Sequence, residues 1–71
     1  MRIGDLAART GLTTKTIRFY EDSGLLPAPP RTPGGYRDYA DHTSTRLAFI
    51  RGAQRAGLTL ADIRPVLALR D

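Results

Sequence analysis

The chain has 71 residues, no cysteine, 41% hydrophobic residues and a net charge of +4. That length holds one small core, since a chain near this size buries only about 60% of the surface its unfolded form exposes. The lack of cysteine excludes disulfides and thiolate metal sites, the hydrophobic content argues against disorder, and the charged start MRIGDLAART argues against a signal or membrane segment, so a cytoplasmic protein is expected.

The charge is unevenly spread. Ten of the eleven basic residues are arginine, and residues 1–37 carry Arg2, Arg9, Lys15, Arg18, Arg31 and Arg37 against only Asp5, Glu21 and Asp22. A basic excess gathered in one part of a small domain is the electrostatic footprint of a nucleic-acid binder, although many small domains with this net charge have no polyanionic partner.

Ile3, Leu6 and Ala7 recur at helical spacing and predict a short first helix over 3–10, closed by Gly11. Thr13 stands where the N-cap of a second helix belongs, and that helix runs to about Ser23 and stops at Gly24. Two short helices joined by a tight glycine-containing turn make a helix-turn-helix over about 3–24. In LLPAPPRTPGGYRDY, four of the five prolines forbid helix, and Gly34-Gly35 supplies positive φ for a tight turn. Residues 25–39 therefore read as a wing of two short edge strands.

Asp41 or Thr43 can cap a third helix reaching about Ala56, with Leu47 and Ile50 on one stripe and Phe49, Ala53 and Ala56 on another. Two apolar sides predict a helix sandwiched between neighbours. Gly57 stops it, and Thr59 with Asp62 resembles a capping box opening a fourth helix whose buried face is Leu60, Ile63, Val66 and Leu67. Pro65 should kink or weaken that helix. The expected fold is mainly α: a four-helix winged helix-turn-helix with a short two-stranded β wing, its helix pair at about 42–69, forming one domain over 1–71.

Candidate functional groups gather on the second helix and the wing. Thr14, Lys15, Arg18 and Asp22 share one face of the second helix, which must meet solvent if Ile17 is buried. Long cations beside a helix N-terminus suit a groove lined by phosphates, and Arg18 can bind guanine O6 and N7 with both arms of its guanidinium. The alternative is an ordinary solvated face with Arg18 paired to Asp22 four residues on. In the wing, Arg31, Tyr36 and Arg37 surround the turn and suit a phosphate backbone, the alternative being a solubilising loop whose Tyr36 and Tyr39 cover the core; Tyr39 reads as a core residue pointing towards the third helix. His42 reads as a helix-start residue, not a metal ligand. No catalytic constellation can be assembled, so an enzyme is not expected, and no cofactor or metal site is expected in this chain.

The run IGDLAARTGLTTKTIRFYEDSGLLPAPPRTPGGYRDY closely resembles the N-terminal domain of the MerR family of transcription regulators, and RLAFIRGAQRAGLTLADIRPVLAL resembles the helix pair that completes it. The combination TIRFYE…GLL…R…GYR…Y is specific, and the wording is most like the metal-responsive branch. The resemblance implies sequence-specific binding of double-stranded promoter DNA by a homodimer, with the second helix in the major groove and the wing on the flanking backbone. It also implies an effector-driven distortion of an over-long promoter spacer that lets RNA polymerase use it. Carried over by position, DNA contacts fall on Thr14, Lys15, Arg18, Tyr20, Arg31, Tyr36 and Arg37. Periodicity puts Tyr20 near the core face, and a phenol can bury its ring while offering its hydroxyl to a phosphate. Phe19 can support the helix or touch the sugar backbone.

The long dimerisation helix and the effector-binding region that the resemblance places after Asp71 are missing here, and the place for a metal or small-molecule effector is that C-terminal region. Gly52 and Pro65 stand where better helix formers are expected. Two other readings compete: an excisionase-like architectural DNA binder, and a winged-helix protein–protein module that would show exposed apolar residues on the third and fourth helices.

Overall fold

The computed structural model describes residues 1–71 and contains four helices: α1 over Ile3–Thr10, α2 over Thr14–Asp22, α3 over His42–Arg55 and α4 over Leu60–Ala68. α1 packs on both α2 and α3, and α4 packs on α3. Ten residues form the core: Leu6, Ile17, Tyr20, Leu25, Leu26, Tyr39, Leu47, Ile50, Ile63 and Leu67. They come from all four helices and from the two ends of the long segment between α2 and α3.

Local signals account for the helix ends. Thr13 has extended backbone, and its hydroxyl accepts the Thr16 N–H at 3.1 Å, which starts α2. At the other end Gly24, with φ +80°, donates to the Glu21 carbonyl at 3.1 Å, and Leu25 donates to the Tyr20 carbonyl at 3.0 Å. This pair of bonds needs a left-handed residue at its centre, where only glycine is unstrained. α3 ends the same way, through Gly57 and Leu58 bonding back to Gln54 and Ala53. The α4 capping box is complete: Asp62 N–H donates to Thr59 Oγ1 at 3.2 Å, and Thr59 N–H donates to Asp62 Oδ2 at 2.9 Å. Hydrogen bonding from the Thr59 backbone N–H, and then from its side chain, holds the exposed Asp62 carboxyl below its ordinary pKa. α4 continues through Pro65 as a single helix.

Several expectations are corrected. The segment expected to form two β strands has none; a single antiparallel bridge joins Arg31 and Arg37. Thr32 N–H donates to the Tyr36 carbonyl at 2.7 Å and Asp38 N–H to the Pro30 carbonyl at 2.9 Å, but the reciprocal bond from residue 30 cannot form because proline has no N–H. The turn itself runs Thr32-Pro33-Gly34-Gly35, with Gly35 N–H on the Thr32 carbonyl at 2.8 Å, and only Gly35 has positive φ, at +85°. At the start of α3, neither Asp41 nor Thr43 caps by its side chain: Asp41 is already helical, and its carboxylate lies 3.7 Å from Arg9. Finally, α3 packs against both α1 and α4, but its second apolar stripe is only partly covered. Leu47 and Ile50 are buried, whereas Phe49 is 37% exposed and Ala56 faces solvent, and on α4 Val66 is 41% exposed. Of the second stripe, Ala53 packs against the core while Phe49 and Ala56 lie outside it.

The wing is held to the helices by side chains. Tyr39 is buried, and its hydroxyl donates to Glu21 Oε1 at 2.8 Å, so it points to α2 and not to α3 as expected. Arg37 Nε donates to Glu21 Oε2 at 3.3 Å, so one carboxylate on α2 holds both groups of the returning arm. The backbone of Tyr39 exchanges bonds with Met1 in both directions, at 2.6 and 2.7 Å, and the amino terminus also reaches Asp38 at 2.9 Å.

Two measurements check this packing. Ile63→Ala should lose about 2–5 kcal/mol in urea denaturation, whereas the half-exposed Val66→Ala should lose under about 1 kcal/mol. Burial, then the hydrogen bond to Glu21 and its charge, pushes the Tyr39 phenol from 10.0 up to about 12. Because the folded form holds that proton more tightly, the associated stability is complete below pH 10 and lost as pH rises through about 12. Tyr39→Phe should therefore be less stable at neutral pH by about 1–3 kcal/mol, having left a carboxylate oxygen without its donor, and should lose less further stability between those two pH values.

Candidate nucleic-acid interface

α2 is nine residues long and two-sided. Ile17 and Tyr20 are buried, and Thr14, Lys15, Arg18 and Asp22 are all exposed on the opposite side. Arg18 makes no ion pair with Asp22, so the solvated-pair alternative for this face is not realised. Its guanidinium, with five donors in a rigid fork, lies at the surface without a protein partner.

Arg18 does not stand alone. Arg2, Gly4 and Asp5 at the start of α1, Arg18 on α2, and Tyr36 and Arg37 in the wing line one open cleft. The Arg2 guanidinium stacks over the Tyr36 ring at 4.1 Å from its centroid, and Tyr36 is 54% exposed. A cation over an aromatic face is attracted by the ring quadrupole, which fixes both groups in place. Three guanidiniums and a phenol thus share a concave surface with one carboxylate, Asp5. Its chemistry suits an anionic backbone, with Arg18 on the helix available for more specific bonding.

The seven residues singled out from the sequence are distributed as follows. Arg18, Tyr36 and Arg37 meet in the cleft. Thr14 and Lys15 lie on the same exposed side of α2, towards its N-terminus. Arg31 is exposed and ties across the turn, Nη1 donating to the Gly35 carbonyl at 2.9 Å. Tyr20 is only 2% exposed, and its hydroxyl donates to Gln54 Oε1 of α3 at 2.8 Å. A phosphate could reach that hydroxyl only by exchanging this bond. Phe19 is 53% exposed, its ring centroid 5.8 Å from that of Tyr20. Arg2 was not among the seven. The sequence marks it only as a cation just before α1, and nothing local brings it to a residue in the wing.

The model of the MerR HTH family of regulatory proteins matches residues 1–69. The mercuric resistance operon regulatory protein of Bacillus cereus is 47% identical over 70 residues, covering 99% of this chain and 53% of that protein. The transcriptional regulator CueR of Yersinia pestis is 46% identical over 69 residues, covering 97% of this chain and 50% of its own length. Among solved structures, HiNmlR, a MerR family regulator lacking the sensor domain and bound to promoter DNA, superposes with a TM-score of 0.90 at 27% identity, covering 99% of this chain and 53% of that one. The regulator PbrR691 of Ralstonia metallidurans CH34, in complex with lead(II), also has a TM-score of 0.90, at 45% identity, covering 100% of this chain and 56% of that one. This chain spans about half the length of the curated relatives it matches. No helix is long and apolar enough to cross a membrane. With the helix-turn-helix, the cleft beside it and the family match all over the same residues, the chain belongs to the MerR HTH family of regulatory proteins.

Proposed function

We propose that this chain reads a half-site of double-stranded promoter DNA as the DNA-binding part of a MerR-type transcription regulator. The observation that carries the reading is the unpaired Arg18 on the exposed side of α2, in one cleft with Arg2, Tyr36 and Arg37. In this reading α2 enters the major groove, Arg18 reads a base edge, Thr14 and Lys15 hold the groove wall, and Arg31, Tyr36 and Arg37 hold the flanking backbone. Tyr20 contributes its hydroxyl to a phosphate once the bond to Gln54 is exchanged. In the full-length regulator two copies act in the cytoplasm as a homodimer, whereas this chain alone is monomeric or weakly associating, and the effect on RNA polymerase is indirect, through the shape of the promoter. It carries no chemistry of its own. The names of its relatives favour a metal as the effector, sensed outside these residues.

The exposed Phe49, Leu58, Val66 and Leu69 also favour a protein-contact role for α3 and α4. That surface is separate from the basic cleft, so the two roles are compatible.

The test is a gel shift of the chain on the DNA upstream of its own gene. Contact with about three to five phosphates should make log K fall with log salt at a slope of about −0.9 per phosphate. Arg18→Ala should cost about 1–3 kcal/mol and relax the preference at one base pair. An Arg18→Ala protein that keeps both affinity and preference would overturn the assignment. Cooperative coverage of several adjacent sites with strong bending would favour an architectural DNA binder instead.

A further inference from the structure

One contact between the wing and the start of α1 is neither a hydrogen bond nor an ion pair. The Arg2 guanidinium lies over the Tyr36 ring, 4.1 Å from its centroid. Backbone bonds fix the place of both residues. The Arg2 carbonyl accepts the Leu6 N–H at 3.1 Å, which opens α1, and Met1 just before it exchanges bonds with Tyr39 on the returning arm. Tyr36 N–H donates to Thr32 Oγ1 at 3.2 Å, and the Tyr36 carbonyl accepts the Thr32 N–H at 2.7 Å.

Gly34 shows how closely the ring is seated. A Cβ at that position would stand 3.3 Å from Cε2 and 3.4 Å from Cδ2 of Tyr36. Gly34 does not have positive φ, so what calls for glycine there is the approach of the ring and not the backbone conformation. The phenol therefore has a bare backbone along one flank and a cation over its face.

The two arginines of the wing are bonded within the chain, Arg31 to the Gly35 carbonyl and Arg37 to Glu21. Arg2 has no side-chain hydrogen bond and no ion pair, not even with Asp5, the one carboxylate lining the same cleft. A guanidinium stacked by its face keeps its N–H donors in its own plane, so the ring holds Arg2 without using them. An exposed arginine ordinarily loses freedom when it binds, whereas this one is ordered beforehand.

We propose that Arg2 is a positioning residue for the wing: its guanidinium sets the Tyr36 phenol, and the stacked pair takes one phosphate of the DNA backbone as a single group. The inference rests on the DNA-binding role proposed for α2 and the wing. It makes the contributions of Arg2 and Tyr36 interdependent, because each side chain loses its orientation when the other is removed.

The experiment is a double-mutant cycle of wild type, Arg2→Gln, Tyr36→Leu and the double variant, with Arg2→Lys alongside. Each binds a duplex from upstream of the gene and a scrambled duplex across a salt series, and each is unfolded thermally without DNA. Arg2→Gln and Tyr36→Leu should each weaken binding to both duplexes by roughly three- to thirtyfold. The double variant should bind about as weakly as the weaker single variant, far short of the product of the two factors. Arg2→Gln should also make the slope of log K against log salt shallower by about 0.9, the value of one phosphate. Arg2→Lys, which keeps the charge and loses the planar stack, should hold the wild-type slope at reduced affinity. Both side chains are exposed, so all variants should unfold close to wild type, and the coupling should appear in affinity alone. Effects that multiply in the double variant, or Arg2→Lys at full affinity, would overturn the pairing and leave the DNA-binding role intact. Coupling of equal size in the unfolding of the DNA-free protein would overturn it too, reducing Arg2 to support of the fold. Wild-type protein that shows no salt-dependent binding to either duplex would overturn both.

Discussion

The arrangement of the candidate interface depends on the Glu21 carboxylate. It sits at the C-terminal end of the helix that carries Arg18, and its two oxygens accept from Tyr39 and Arg37 on the returning arm of the wing. A hairpin with one bridge cannot hold its own position. Its orientation comes from outside: from Glu21, from the Met1 backbone, and from Leu25, Leu26 and Tyr39 buried at its two ends. The carboxylate is only 11% exposed, which strengthens its bonds relative to a surface pair. Through it, helix and wing present Arg18 and Arg37 as one surface.

Much of the helical frame was legible because it is local. Thr13, Gly24, Gly57 and the Thr59–Asp62 pair mark helix ends through bonds that span at most five residues, and the apolar spacing of Leu6, Ile17, Leu47 and Ile63 points to the core. What could not be read was set by distant residues. Val66 and Phe49 sit on apolar stripes, yet a stripe does not say whether a neighbour exists to cover it. Tyr20 is placed by Gln54, Arg2 by Tyr36, and Tyr39 by Glu21, each partner more than fifteen residues away. The strands were overestimated for a simpler reason: proline was read as compatible with an edge, but residue 30 removes the donor that a second rung requires.

The distribution of arginine carries a related lesson. A count of charges placed the basic excess in the first half of the chain, and the structure shows that position alone does not tell which cations are free. In the second half, Arg46 and Arg64 satisfy carbonyls just beyond α2, so α3 and α4 fasten the end of that helix from two sides. Arg51 and Arg55, on the same helix as Arg46, have no such duty. Residues of one type on one helix divide into fasteners and unpartnered cations according to the acceptors within reach.

The prolines that shorten the wing also protect it. A hairpin at the edge of a domain presents a row of backbone donors and acceptors on which a second molecule can build a sheet. Here Pro27, Pro29, Pro30 and Pro33 take four N–H groups out of that row, and the Tyr39 backbone is already paired with Met1. What remains is too sparse to template a strand from another copy. The same chemistry that denies the wing a proper sheet lets it stay exposed at high protein concentration without drawing its neighbours into aggregates.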